Sequence, residues 1–108
     1  MAEASILVLT HLPDRAGALA LARALVTSRL AACVNIGAPV QSMYHWQGQF
    51  ETAMEIPVAV KTRAALYSRV EAAIRASHPY ELPDIVAVPL THGLEPYLDW
   101  IASQTSSP

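Results

Sequence analysis

"VQSMYHWQGQFETAMEIPVAVKT", Val40 to Thr62, decides the fold. In its first part Val40, Ser42, Tyr44 and Trp46 alternate with Gln41, Met43 and His45, the period-two pattern of a strand. Gln47-Gly48 then suits a tight hairpin turn, because glycine enters the left-handed region without a steric cost. A second extended run goes from Gln49 to Lys61, and "VAVKT" (Val58 to Thr62) reads as its central, buried part. Pro57 lies inside this run and has no N–H for a ladder, so that point is expected at a sheet edge or a bulge. The stretch is one long hairpin.

Upstream, "ACVNI" (Ala32 to Ile36) reads as a strand that Gly37-Ala38-Pro39 separates from the hairpin. Before it, Ala18, Leu21, Ala22, Leu25 and Val26 recur at helical spacing between Arg15 and Leu30, with Asp14 as N-cap. The chain opens with "SILVLTH" (Ser5 to His11), a short apolar run of strand type. Downstream, Thr62 is expected to cap a helix over Arg63 to Ser77, whose stripe is Leu66, Val70, Ala73 and Ile74. Pro79 stops it, "DIVAVP" (Asp84 to Pro89) is the last strand, and Glu95 to Gln104 is a short final helix. The order is βαββαβ plus a terminal helix. It predicts an α+β, ferredoxin-like split βαβ fold: an antiparallel sheet with the two main helices on one face. Residues 1–108 form one domain, with 1–4 and 105–108 expected to fray.

Composition adds a constraint. The chain has 108 residues, of which 53% are hydrophobic and 15% charged. Its mean hydropathy is +0.29. A domain this small has too much surface to hide so much apolar material, so another copy is expected to cover the open sheet face and edges. The net charge of -2 and the scattered basic residues give no face for nucleic acid. No apolar run is long enough to span a bilayer, and Met1 to Ser5 has no signal-peptide character, so a cytoplasmic protein is expected. The single Cys33 has no intrachain partner and reads as a buried, inert small hydrophobe.

Candidate chemistry gathers near "SHPYELPDIVAVP" (Ser77 to Pro89). No H-x-x-H, zinc-finger, nucleophile-elbow or phosphate-loop pattern occurs, so nothing points to an enzyme or an obligatory cofactor. In a split βαβ fold, however, the end of the first strand and the segment before the last one come close. Thr10, His11, His78, and Glu81 or Asp84 are then expected to converge. Imidazole, hydroxyl and carboxylate suit a borderline divalent ion such as Cu(II) or Zn(II). The competing role of His78 is a favourable charge at a helix C-terminus. The aromatics Trp46 and Phe50 beside the turn suggest a hairpin tip that docks on another subunit.

Several motifs in order carry a family resemblance: Pro13-Asp14, "RLAACVNI" (Arg29 to Ile36), "SMYHWQGQ" (Ser42 to Gln49), "VKT" (Val60 to Thr62), "HPYELPDIVAVP" (His78 to Pro89) and "YLDWI" (Tyr97 to Ile101). From Ile6 to about Ala102 the chain resembles CutA, the divalent-cation tolerance family. The resemblance implies a ferredoxin-like subunit in a tight homotrimer, with the hairpin reaching across to a neighbour. It implies a link to metal tolerance, copper above all, and an architecture similar to that of PII signalling proteins, whose ligands sit in intersubunit clefts. Some family members carry a cysteine at the end of the first strand, from which a metal site has been proposed with the HPY histidine and an acidic residue. Those positions are Thr10, His78 and Asp84 here. Thr10 departs from the pattern, and a hydroxyl is a much poorer copper ligand than a thiolate. His11 is next along, but adjacent strand residues point to opposite faces. The function expected is a trimeric protein of metal response with weak divalent binding. The alternative is a PII-like sensor or adaptor that takes a small ligand or a partner protein between subunits.

Overall fold

The computed structural model describes residues 4–107. The element order is β1 (Ser5–Leu12), α1 (Arg15–Thr27), β2 (Cys33–Ile36), β3 (Val40–Trp46), β4 (Gln49–Arg63), a 3₁₀ turn (Ala64–Leu66), α2 (Tyr67–Ser77), β5 (Ile85–Pro89) and α3 (Glu95–Ser103). All strand pairs are antiparallel, and the sheet runs β2-β4-β1-β5, with β3 also on β4. β2 and β3 share one side of β4 in succession, so four strand positions remain and the expected split βαβ arrangement is found.

β4 is the axis of the molecule. Its Ile56–Arg63 half pairs with β1 from Leu12↔Ile56 to Ser5↔Arg63 without interruption. Pro57 sits in that half, opposite His11, and no bulge accompanies it. Its carbonyl accepts from Gly37 N–H at 3.0 Å. A residue's N–H and C=O point to the same side of a strand, so the missing N–H faces the break between β2 and β3, where no ladder bond is lost. Gly37 is required there, since a Cβ would meet Pro57 Cγ at 2.8 Å.

The even-numbered face is the core. Ile6, Val8 and Leu12 of β1 and Ile56, Val58 and Val60 of β4 are buried against Ala18, Leu21 and Leu25 of α1 and Val70 and Ile74 of α2. Each large aliphatic side chain withdrawn in this way contributes about 1.5–3 kcal/mol. Asp14 caps α1 as expected, accepting from Gly17 N–H at 2.7 Å. The helix ends at Thr27, short of Leu30, because Arg29 turns into the left-handed region at φ 64°. The opposite, outer face is crossed by α3, where Ile101 is fully buried and Lys61 Nζ donates to Tyr97 Oη at 3.2 Å. Val86 and Val88 of β5, which share this parity with Leu7 and Leu9, stay exposed.

Three further expectations change. Thr62 does not cap α2: it is a buried strand residue whose Oγ1 donates to Leu30 O at 2.6 Å, and α2 starts after the 3₁₀ turn with no side-chain cap. Cys33 is partly exposed, because its parity puts it on the outer face opposite Lys61, and β2 is an edge strand. Residues 105–107 are tied to the body. Ser106 N–H donates to Arg29 O at 2.8 Å and Arg63 Nε to Thr105 Oγ1 at 2.8 Å. Ala4 O accepts from Ala64 N–H, while 1–3 and 108 lie outside the described residues.

Beyond Ile56, β4 leaves β1 behind and pairs with β3 alone, from Val40↔Glu55 to Trp46↔Gln49. Gln47 and Gly48 turn the hairpin with φ of 50° and 78°, both left-handed as a two-residue turn of this hand requires. One hairpin face carries Met43, Phe50 and Met54, which are 63%, 63% and 59% exposed. The other carries Ser42, Tyr44 and Trp46 with Ala53 and Glu55, and it continues the outer face of the sheet.

Candidate functional site

A groove of about 570 Å³ opens where β1 runs out. The hairpin's outer face supplies Tyr44, Trp46 and Glu55 as one wall, and the 79–84 connection supplies Tyr80, Glu81 and Asp84 as the other. His11, the penultimate residue of β1, lies at its end. Continuing the Thr10↔Ile85 register by one step sets Asp84 across from His11. There Asp84 Oδ2 is 2.6 Å from His11 Nδ1, and both side chains are partly exposed. When Nδ1 carries the proton, Nε2 holds a lone pair, and no hydrogen bond to a described residue occupies it.

His78 is in a different condition. It follows α2 as its C-cap and is 8% exposed. Its Nδ1 accepts from Tyr80 N–H at 3.1 Å, which sets the tautomer, and Nε2–H then donates to His11 O at 2.6 Å. Both ring nitrogens are engaged, so a metal at His78 has to displace one of these bonds. The ring also packs against Tyr80, with centroids 4.8 Å apart. His78 thus fastens the start of the stiff "HPYELPD" connection to the end of β1.

Thr10 faces the core. It is 1% exposed and its Oγ1 has no hydrogen-bond partner among the described residues. The pleat puts it on the opposite side of the sheet from His11, as parity requires. Of the five expected ligands, then, the structure brings His11, Glu81 and Asp84 to one groove and turns Thr10 and His78 away from it. Among the described residues no group of three or more His, Cys, Asp or Glu side chains is set to hold a metal ion.

Glu55 and Tyr80 are members of the groove that residue spacing does not reveal as a pair. Glu55 is only 7% exposed, although it starts the free part of the hairpin. It lies beside the Tyr80 phenol. Burial first, and then the hydrogen bond to Glu55 and its charge, push the Tyr80 pKa from 10.0 up to about 12. The one available signal was parity, since Glu55 shares the outer face with Pro57 and Ala59 while its carboxylate has no Lys or Arg at the opposite position Val40.

The fold defines the class: a small ferredoxin-like α+β protein with a hairpin extended beyond its sheet. Within that class the chain belongs to the CutA1 divalent ion tolerance protein family, whose model matches residues 6–104. It is 41% identical over 98 residues to the divalent-cation tolerance protein CutA of Thermus thermophilus, covering 91% of this chain and 95% of that one. The chloroplastic CutA protein of Arabidopsis thaliana is 36% identical over 101 residues, which are 94% of this chain and 56% of the plant protein, so the chain spans about half of that longer relative. The crystal structure of CutA1 from Oryza sativa superposes with a TM-score of 0.96 at 32% identity, covering 99% of this chain and 98% of that one. That of the Thermus thermophilus protein gives 0.92 at 39% identity, with 94% and 99% covered.

Proposed function

We propose that this protein binds divalent cations weakly through His11 in the outer groove, as part of a metal-tolerance role and in a homotrimer. The family membership supports the role. The observation that carries the site is the His11 Nδ1–Asp84 Oδ2 contact of 2.6 Å, which leaves Nε2 open. A carboxylate on the far nitrogen orients a ligating imidazole and raises its basicity, the usual arrangement behind a metal-bound histidine. Asp84 therefore acts behind the ligand, and Glu81 is the nearest sequence candidate for a second donor. Among the described residues no group of three or more such donors is gathered, fewer than a closed site requires. Nitrogen and oxygen donors suit Zn(II) or Cu(II), and with water or a neighbouring copy completing the sphere the affinity is modest. The role is one of binding rather than catalysis.

Assembly is supported by the exposed Met43, Phe50 and Met54 and by the open valines of β5. Covering them by other copies removes apolar surface that a lone chain leaves in water. No helix among the described residues is long and apolar enough to cross a membrane.

Calorimetric titration of the intact protein with Zn(II) and Cu(II) tests the metal site. His11→Ala is expected to weaken binding about ten-fold or more, in the range set by loss of metal-site groups. His78→Ala, in molecules that remain folded by circular dichroism, is expected to bind like the parent. Parent-like binding by His11→Ala would place the site elsewhere. A second reading, a sensor for a small molecule in a cleft, is favoured by the volume and aromatic wall of the same groove.

A further inference from the structure

The ligand class follows from Glu55, on the reading that the groove is a small-molecule site. A carboxylate withdrawn from water is unfavourable unless charge and hydrogen bonds compensate it. Glu55 is 7% exposed, and the sole ion pair among the described residues is His11–Asp84, so no cation among the described residues neutralises it. The Tyr80 phenol lies beside it in the groove. No Lys or Arg lines the groove, whereas Glu81 and Asp84 add two more carboxylates at its rim. Tyr44, Trp46 and Tyr80 supply three aromatic rings around the same space. Aromatic faces attract weakly hydrated cations through the ring quadrupole. A small divalent ion holds its waters and seeks several oxygens, so it gains little from such walls.

We propose that the groove takes a small organic cation with N–H donors, an alkylammonium, seated on Glu55 between Tyr44, Trp46 and Tyr80. Glu55 accepts a charge-assisted hydrogen bond from the ammonium. The Tyr80 hydroxyl, beside Glu55 in the groove, has lone pairs with which it accepts another. The rings of Tyr44 and Trp46 cover the alkyl part. A quaternary ammonium satisfies the rings alone and offers neither oxygen a donor.

Trp46 emission reports occupancy when Trp100→Phe has removed the second indole, which lies outside the groove beside Tyr97. The intact protein is titrated with n-butylammonium chloride, with tetramethylammonium chloride and sodium chloride at matched ionic strength. The expected result is a saturable change with n-butylammonium and binding of tetramethylammonium weaker by about ten-fold, the loss for an unmade charged hydrogen bond. Glu55→Gln weakens n-butylammonium about ten-fold or more, and Tyr80→Phe weakens it by a smaller factor. His11→Ala is scored by Zn(II) calorimetry and Glu55→Gln by the n-butylammonium response, so the two readings of the groove fail separately. Three results overturn the proposal: a response no different from sodium, parent-like binding by Glu55→Gln and Tyr80→Phe, or dissociation of the assembly by Glu55→Gln in light scattering. The last would show that a cation of another copy already occupies Glu55.

Discussion

The two halves of β4 show how one strand meets two different fates. From Ile56 to Arg63 it is flanked by β1 and β2 and backed by α1 and α2, and Val58, Val60 and Thr62 are buried. From Gln49 to Met54 it has β3 alone, and Phe50 and Met54 on the same even-numbered face stand in water. The alternation of residues is unbroken across the boundary, so the difference comes from what lies on top. A helix pair covers the first half, and no described residue packs over Phe50 and Met54 closely enough to bury them in the second. The groove forms at the junction, where β1 ends and the 79–84 connection takes its place beside the hairpin.

The largest effect belongs to the covered half. Ile74 is fully buried over it, and Ile74→Ala is expected to cost about 2–5 kcal/mol, the range for a large-to-small change in a packed core. Chemical denaturation checks this. A loss within about 0.5 kcal/mol, typical of an exposed site, would erase the contrast between the halves.

Next is Trp46 of β3, paired with Gln49 at the end of the uncovered half. With the hairpin docked on a neighbour, Trp46→Ala is expected to cost about 2 kcal/mol and to make the melting temperature depend on protein concentration. Light scattering of the parent is expected to give about three times the 11.6 kDa chain. A parent that scatters as a folded monomer would break the comparison, since the uncovered half would then be a free surface.

Smaller still is the effect of Tyr80 at the junction. Its pKa is raised in the folded state from 10.0 to about 12, chiefly by burial, so the folded protein holds this proton more firmly than the unfolded chain. The associated stability is complete below pH 10 and is lost as pH rises through about 12. Tyr80→Phe is therefore expected to flatten the decline of melting temperature in that window. The solvent access of Tyr80 reduces the size of the effect. An identical decline in both proteins would place the phenol in water, away from Glu55.

Much of this was legible in the residues. The alternation from Val40 to Lys61, the Gln47-Gly48 turn and the Asp14 cap each follow from local chemistry, and the structure realises all three. Parity alone separates Thr10 from His11. Other features depend on contacts that residue types do not carry. The bonds of His78 go to a backbone carbonyl and a backbone N–H, which have no sequence signature. Thr62 looks like a cap until the turn at Arg29 brings the Leu30 carbonyl to it. The apolar neighbours of Cys33 suggested burial, but its side of the edge strand is the one that α1 and α2 do not cover. Glu55 reads as an ordinary hairpin carboxylate until the 79–84 connection closes over it.

On the proposed reading, His78 is a fastening and His11 the open ligand. Long-range proton–nitrogen NMR of the imidazole rings tests it most directly, with Zn(II) added in steps to the intact protein. His78 is expected to show the neutral Nε2–H form and keep both nitrogen resonances unchanged, while the Nε2 resonance of His11 moves with metal. Movement of the His78 nitrogens with His11 unaffected would contradict it.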